Sequence, residues 1–330
     1  MFLKIFCGDE IIIYRDIDKT FFRVRSEDGL MFLQFDISPR HPQYKCFELY
    51  EKVEYDNQFY LITSINERKN VSTIRCDLDL DGLSSTAFRS FIWRNVTFTE
   101  AANEALENTG WTILGSQTIT KKSTTELEYC TPLEILQYFR NTTSYAACYR
   151  FNTKTKTIHI IHPYDNTAAS GVYFTDQFNM TEMVYKGNTS KIVTRLMPLG
   201  KDDVNISSVN NGDWYVENHL FTDRVVTAIW HDERYTDPKS LLDDAKIKLA
   251  ELAKPEQSYT IKIVDLAKIN PEKYGEVLAY DLYDIVTVVD RNRRKRLDHR
   301  IVEVKEYPAC SALNEITLST KPNKIKTYRK

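Results

Sequence analysis

The chain has 330 residues, and at about 150 residues per domain this length predicts two or three domains. Lysine and arginine number 44 against 46 for aspartate and glutamate, so a formal charge of −2 excludes a global basis for binding nucleic acid or membrane surfaces. Glycine is scarce, with 10 residues, whereas tyrosine contributes 20 and phenylalanine 16. This composition favours strands over glycine-looped nucleotide folds.

No membrane insertion and no signal peptide are predicted. The apolar runs fall short of the roughly 18 residues that a spanning helix requires, and charged residues interrupt the first segment, Met1–Ile13. The cysteines lie far apart, without a CxxC pair or the density of a secreted disulfide framework. We therefore expect reduced, mostly buried thiols. The cysteines are Cys7, Cys46, Cys76, Cys130, Cys148 and Cys310.

Residues 1–92 are predicted to form a first β-barrel-like domain. They contain seven short segments rich in β-branched and aromatic residues, some with the period-2 alternation of half-buried strands. The predicted strands are Phe2–Phe6, Glu10–Tyr14, Phe21–Val24, Leu30–Asp36, Glu48–Val53, Tyr60–Asn66 and Ser72–Leu78.

Residues 93–182 are predicted to form a small α+β domain, because the apolar period changes from 2 to 3.6 after residue 97. Capping-box spacings mark the starts of two helices. The predicted elements are a helix from Phe98, capped by Thr97 and Glu100 and ended by Gly110, a helix from Pro132, capped by Thr131 and Glu134, and a hairpin of Ala146–Phe151 with Thr157–Ile161.

Residues 183–325 are predicted to form a second β-barrel-like domain, interrupted by a helix over residues 237–254. Asp237 caps this helix, Pro238 starts it and Pro255 stops it. The predicted strands are Lys191–Pro198, Val225–Trp230, Tyr259–Val264, Asp284–Val289, Arg300–Glu306 and Asn314–Ser319. Residues 326–330 form a basic tail. The predicted fold class is α+β and mostly β, with two related barrel-like domains and one small α+β domain.

An internal sequence similarity, here called the internal echo, relates the two predicted barrels. Three segments of the first resemble three segments of the second in residue type and order. The pairs are Glu48–Val53 with Asp281–Val286, Leu61–Ile65 with Arg300–Val304, and Thr73–Arg75 with Glu315–Thr317. The offset grows from 233 to 239 to 242, as expected if the copies differ by longer turns. Duplication and chance similarity between two β regions are both open interpretations.

No motif of a common enzyme class is present. GxGxxG, HExxH and GxSxG are absent, and the pair Gly110 and Gly115 lacks the lysine and hydroxyl that complete a phosphate loop. The sequence therefore predicts no catalytic, cofactor-binding or metal-binding residues, no cofactor and no enzymatic activity.

The strongest local charge lies between two predicted strands. Two interpretations are open: a solvated hairpin tip, or a contact for phosphates or for an acidic protein surface. The candidate partner-contact residues are Arg291, Arg293, Arg294, Lys295 and Arg296.

Two segments carry a family resemblance: Thr189–Lys201, and the run from Tyr283 to Leu318. With the order of β-rich, α+β and helix-interrupted regions, they resemble the baseplate hub proteins of phage tails. The likeness is to the N-terminal hub module of tail-associated lysins, the prophage endopeptidase tail family. The resemblance implies two related barrel-like domains per subunit and a homotrimeric ring of pseudo-sixfold character around a channel.

The resemblance also implies a place in the virion tail, with assembly in the cytoplasm of the bacterial host. The implied partners are the tail tube and distal tail protein on one side and a fibre, spike or lytic component on the other. Tape-measure protein and DNA would pass through the lumen, DNA only as cargo. Lytic relatives carry a peptidase downstream of the hub, whereas here only a short tail follows the hub layout, so endopeptidase activity is not expected.

Two alternatives compete with this structural role. One is a cell-wall hydrolase with its catalytic groups in residues 93–180. The other is a carbohydrate- or receptor-binding module that uses exposed aromatic residues, with Trp214 and Trp230 as candidates.

Overall fold

The structure is a computed structural model that describes residues 1–115, 119–120, 122–141, 147–161, 169–233 and 235–319. Strands predominate, as the sequence predicts, and helices are few and short. The predicted basic tail, 326–330, lies outside the described residues. Within those ranges no helix is both long and apolar enough to span a membrane.

The strands are β1 (Leu3–Cys7), β2 (Glu10–Tyr14), β3 (Phe22–Ser26), β4 (Met31–Ile37), β5 (Lys52–Tyr55), β6 (Gln58–Glu67), β7 (Ser72–Leu78), β8 (Phe88–Thr97), β9 (Thr112–Leu114), β10 (Lys122–Cys130), β11 (Cys148–Asn152), β12 (Thr157–Ile161), β13 (Ala169–Phe174), β14 (Met180–Asn188), β15 (Arg195–Leu199), β16 (Val216–Glu217), β17 (Thr227–His231), β18 (Glu256–Ile263), β19 (Ile285–Asp290), β20 (Lys295–Glu306) and β21 (Glu315–Ser319). The helices are α1 (Phe98–Ala105), α2 (Pro132–Asn141), α3 (Pro238–Leu252), α4 (Leu266–Ile269) and α5 (Pro271–Leu278).

One sheet of 13 strands contains both ends of the described chain. Its order is β14-β18-β21-β20-β3-β4-β7-β6-β5-β1-β2, and β19 and β13 branch from β20. Strand β20 pairs with β3 through Glu303–Glu306 and Arg23–Ser26. The class is α+β and mostly β, but the described sheets close no barrel, and strands of both predicted barrel regions meet in this one sheet. The two related barrel-like domains expected from the sequence stay a prediction, and one strand pairing, β20 with β3, joins the two regions that they would occupy.

The same strand order occurs twice in this sheet. The N-terminal strand set runs β3-β4-β7-β6-β5-β1, and the C-terminal strand set runs β14-β18-β21-β20-β19-β13. The sets differ at their last pair, because β1 pairs with β5 antiparallel whereas β13 pairs with β19 parallel. They also differ in the first connection: a tight turn joins β3 to β4, and residues 189–255 join β14 to β18. Strand order therefore favours duplication over chance similarity.

Equivalent backbone turns support this correspondence. The Tyr50 N–H donates to the Ile62 carbonyl at 2.8 Å, and the Tyr283 N–H donates to the Ile301 carbonyl at 3.0 Å. Both tyrosines adopt the left-handed conformation, with φ of 69° and 79°, which is unusual for a bulky residue. The predicted strand Glu48–Val53 consequently starts only at Lys52, because this turn occupies its first residues.

A longer hairpin explains the change of offset from 233 to 239. Tyr55 pairs with Gln58 at the end of the β5–β6 hairpin, and the equivalent pair in the other set is Val288 with Leu297. Beyond this pair the N-terminal hairpin has a two-residue turn, whereas residues 289–296 continue the C-terminal hairpin. The extension contains the basic cluster that the sequence singles out.

The α+β region packs aromatic side chains around α1 and α2. Phe139 lies 5.0 Å from Trp93 and 5.5 Å from Phe98, measured between ring centroids. Both predicted capping boxes are confirmed: the Glu100 and Glu134 carboxylates accept N–H bonds from the residues that cap their helices. Gly110 is not the cap of α1, since this helix already ends at Ala105. The ten-residue strand β8, which pairs with β10, is not predicted.

Two compact units divide the chain: one contains residues 1–184 and 260–318, and the other contains residues 185–259. In the second unit β15 pairs with β16 and β17, and α3 contributes the buried side chains of Leu241, Leu242, Ala245 and Leu249 to its core. Asp237 caps α3 as predicted. The division into domains 1–92, 93–182 and 183–325 stays a prediction, since one compact unit can contain more than one domain.

Candidate functional site

The pairing of β20 with β3, here called the junction, is held by a buried carboxylate. Glu306 accepts hydrogen bonds from the Arg23 guanidinium at 2.8 and 3.0 Å and from Lys268 Nζ at 2.8 Å. Arg25 Nε lies 3.4 Å from the same carboxylate, and Arg25 Nη1 donates to Asp281 at 2.7 Å. Each side of the junction thus contributes charges that the other side neutralises.

Two glutamates of β20 have pKa values that are shifted in opposite directions. Burial alone would raise the pKa of the Glu306 carboxyl, but the charges of Arg23 and Arg25, together with Lys268, outweigh burial and hold the pKa at about 2. Three residues earlier, burial raises the pKa of Glu303 above its usual value. The ionised form of Glu306 therefore stabilises the junction, whereas the ionised form of Glu303 does not.

A tyrosine contacts the other end of the junction, where Glu27 pairs with Val302. The Tyr283 hydroxyl donates to the Glu27 carbonyl at 3.0 Å and lies 3.3 Å from the Tyr149 carbonyl. Glu27 directly follows β3, and its N–H donates to the Val302 carbonyl at 2.9 Å. Tyr283 is 5% exposed and its neighbour Leu282 is 8% exposed. The Leu282–Tyr283 turn of the C-terminal set is thus buried, and Tyr283 contacts the residue that follows β3 and a residue of β11.

The equivalent turn of the N-terminal set is uncovered. Leu49 is 55% exposed and Tyr50 is 81% exposed, although their backbone matches that of the covered turn. Two neighbouring exposed apolar side chains, on a turn that the chain repeats in a buried form, make this turn a candidate contact surface.

Two strands of the sheet, β6 and β14, have edges without a neighbouring strand in the described part of the chain. On one side β6 pairs with β7, and on the other it pairs with β5 only through Gln58–Leu61. The remaining stretch, Thr63–Glu67, has no further strand beside it within the described ranges, and is here called the open edge. Strand β14, with its exposed Thr181, Glu182 and Lys186, is the terminal strand of the sheet. Unpaired edges are templates for pairing with another chain.

The structure places the predicted basic residues at the tip of the β19–β20 hairpin, where all are exposed. Arg291 forms an ion pair with Asp176 at 3.2 Å, and Arg293 forms one with the buried Asp290 at 3.2 Å. The hairpin thus brings together the five residues that the sequence predicts. Their proposed contact with a partner stays a prediction.

The residues considered for the alternative functions have ordinary structural environments. Within residues 93–180, burial raises the pKa of the Cys148 thiol to about 11 and that of the Cys130 thiol above its usual value, which disfavours the nucleophilic thiolate. Across the part of the chain that the structure describes, no group of three or more His, Cys, Asp or Glu residues could hold a metal ion. Trp230 packs against Tyr235 at 5.3 Å, whereas Trp214 is exposed.

Sequence reasoning missed the residues of the junction, although it found the segments that contain them. Glu306, Arg23 and Tyr283 are unremarkable in type and spacing, and Arg23 and Glu306 are 283 positions apart. The internal echo was the available signal, because it aligns the covered turn at Tyr283 with the exposed turn at Tyr50.

Comparisons with known proteins agree with the sequence resemblance. Residues 168–329 match the family model described as prophage endopeptidase tail. No curated protein matches the sequence significantly. The fold is similar to that of prophage tail protein gp18 from Listeria monocytogenes EGD-e, with a TM-score of 0.70, 16% identity, and coverage of 99% of this chain and 96% of that chain.

Two further tail proteins share the fold. The 43 kDa tail protein of prophage MuSo2 from Shewanella oneidensis has a TM-score of 0.64 and 11% identity, with 98% of each chain covered. The tail protein from Neisseria meningitidis MC58 has a TM-score of 0.63 and 11% identity, with coverage of 96% of this chain and 95% of that chain. Residues 168–329 are therefore similar to the prophage endopeptidase tail family, in agreement with the resemblance that the sequence shows, and the chain has the fold of prophage tail proteins.

Proposed function

We propose that the protein is a structural, non-enzymatic baseplate hub of a phage tail, assembled as a homotrimeric ring around a channel. The observation that carries this proposal is the junction, which joins two strand sets of the same order side by side. Three subunits supply six such sets. If neighbouring sets are joined throughout as β3 and β20 are, the sheet closes on itself in a ring of pseudo-sixfold character.

Closure in this way accounts for the edges that one subunit leaves unpaired. A heterologous contact, in which one face of a subunit binds a different face of the next, forms a ring when its rotation closes. Such a ring covers every strand edge that takes part, which removes the hazard of open edges. The two related barrel-like domains implied by the family resemblance would then be completed in the assembly.

The ring gives the protein its place in the virion. We infer that one face binds the tail tube and the distal tail protein, and that the other face binds a fibre, spike or lytic component. The lumen passes tape-measure protein and DNA, with DNA only as cargo. Assembly of this tail component takes place in the cytoplasm of the bacterial host.

The basic hairpin tip is a candidate contact in this arrangement. Carboxylates already pair with Arg291 and Arg293, which leaves the exposed Arg294, Lys295 and Arg296 for an acidic surface of a neighbouring tail protein. The equivalent hairpin of the N-terminal set lacks this extension. The tip therefore occurs once per subunit, and three times in a ring of six strand sets.

Light scattering coupled to size-exclusion chromatography tests the ring. The expected mass is three times 38.6 kDa, and negative-stain images are expected to show a central channel with six similar lobes. A mass of one subunit at every concentration, or trimers without a channel, would contradict the proposed hub.

A further inference from the structure

The two strand sets are joined at only one of two equivalent places. Strand β20 continues past Ile301 into the junction with β3, whereas the corresponding stretch of β6 is the open edge. In the C-terminal set the position of β3 is taken by β14, which ends the sheet. Each subunit therefore has an open edge that corresponds to the junction stretch of β20, and a strand, β14, that corresponds to β3. Within the described residues these two are not paired with each other.

We propose that the open edge and the Leu49–Tyr50 turn of one subunit bind the C-terminal half of β14 in a second copy of this chain. The strands run antiparallel, as β20 and β3 do. The occupant is a second copy because the intact junction shows which strand such an edge and turn accept: the first strand of the other set. This inference rests on the proposed ring, for which it names the contact between subunits.

The register follows from the packing of the second set. Leu33, Phe35 and Ile37 alternate as the buried residues of β4, as Tyr259, Ile261 and Ile263 do in β18. Arg23 pairs with Leu33 in the first set, and in the second set the Tyr185 ring lies 4.9 Å from the Tyr259 ring. The residues equivalent to Arg23–Ser26 are thus close to Tyr185–Asn188.

The open edge repeats features of the intact junction. Glu67, at its end, corresponds to Glu306 and is exposed. The Tyr50 side chain takes the place of Tyr283 and reaches the backbone just past β14, as Tyr283 reaches Glu27 just past β3. Leu49 and Tyr50 are then buried as Leu282 and Tyr283 are.

The variant Tyr50→Ser tests the contact by removing its largest aromatic side chain. Central aromatic residues of interfaces commonly contribute at least 2 kcal/mol, so we expect trimer formation about 30-fold weaker in a light-scattering concentration series. Tyr129→Ser is the matched control, because Tyr129 is 74% exposed and also has a positive φ, of 50°. Both variants are expected to melt like the wild type when monomeric, since neither side chain is buried.

A photocrosslinking residue at position 50 identifies what the turn touches. With p-benzoylphenylalanine there, crosslinked peptides are expected to join position 50 to residues 180–190 of another copy. Wild-type trimers with crosslinks elsewhere, or with association unchanged by Tyr50→Ser, would overturn this inference and leave the ring standing. A wild-type chain that is monomeric throughout, with no crosslink between copies, would overturn both.

Discussion

Replacing Glu306 by glutamine removes the charge at the centre of the junction and keeps the shape of the side chain. The folded-state pKa of about 2, against an ordinary 4.5, corresponds to about 3 kcal/mol of stability from ionisation at pH 7. Glutamine forgoes this contribution and leaves Lys268 and the Arg23 guanidinium poorly neutralised. We therefore expect Glu306→Gln to lower the free energy of unfolding by about 3 kcal/mol at pH 7.

The pH dependence has a definite sign. Because the pKa of Glu306 is depressed in the folded state, its contribution is complete above about pH 4.5 and is lost as the pH falls towards 2. The difference between wild type and Glu306→Gln should shrink to about 1.4 kcal/mol at pH 3. Glu303→Gln is the control on the same strand: burial raises the pKa of that carboxyl, so neutralising it should cause no loss at pH 7.

Urea unfolding followed by tryptophan fluorescence measures these differences. Replacing Trp214 and Trp230 by phenylalanine in all variants leaves Trp93 and Trp111, both buried in the unit that contains the junction, as the reporters. A loss below 1 kcal/mol at pH 7, or a loss that is equal at pH 7 and pH 3, would refute the assignment of Glu306 as the charge that holds the junction.

Two further substitutions test packing. Gly29→Ala should lower stability by about 2 kcal/mol or more, because φ is +80° and the new Cβ would lie 2.6 Å from the Tyr149 carbonyl oxygen. Gly8→Ala, with φ of +60° and open space, should cost about 1 kcal/mol, and equal thermal shifts for the two would contradict the clash. Leu241→Ala should cost about 2–5 kcal/mol in chemical unfolding, whereas the exposed Ile247→Ala should change stability by less than about 0.5 kcal/mol.

Local signals in the sequence predicted the elements whose conformation is set locally. Strands β2 and β7 have the predicted bounds, and α3 lies between its predicted cap at Asp237 and Pro255. The hydrogen bonds of capping boxes involve residues only three positions apart, so their spacing is visible in the sequence. The resemblance to tail hub proteins was also available at this level, through short segments of the third region.

Long-range pairing could not be predicted in the same way. Strand β8 is missing from the predicted elements because its alternation is broken by charged residues, and it is stabilised by pairing with β10, whose residues lie 25 to 42 positions later. The joining of two expected barrels into one sheet depends on Glu306 meeting Arg23, which no local pattern encodes. Tyr50 and Tyr283 are identical in type, so only the fold distinguishes the exposed residue from the buried one.

The distance along the chain between β3 and β20 sets an order for biosynthesis. Strand β3 leaves the ribosome well before its partner strand, which begins at Lys295. Until then the nascent polypeptide displays Arg23 and its neighbours without their counterpart. Chains cut short before β20 consequently lack the junction and leave its β3 side unpaired.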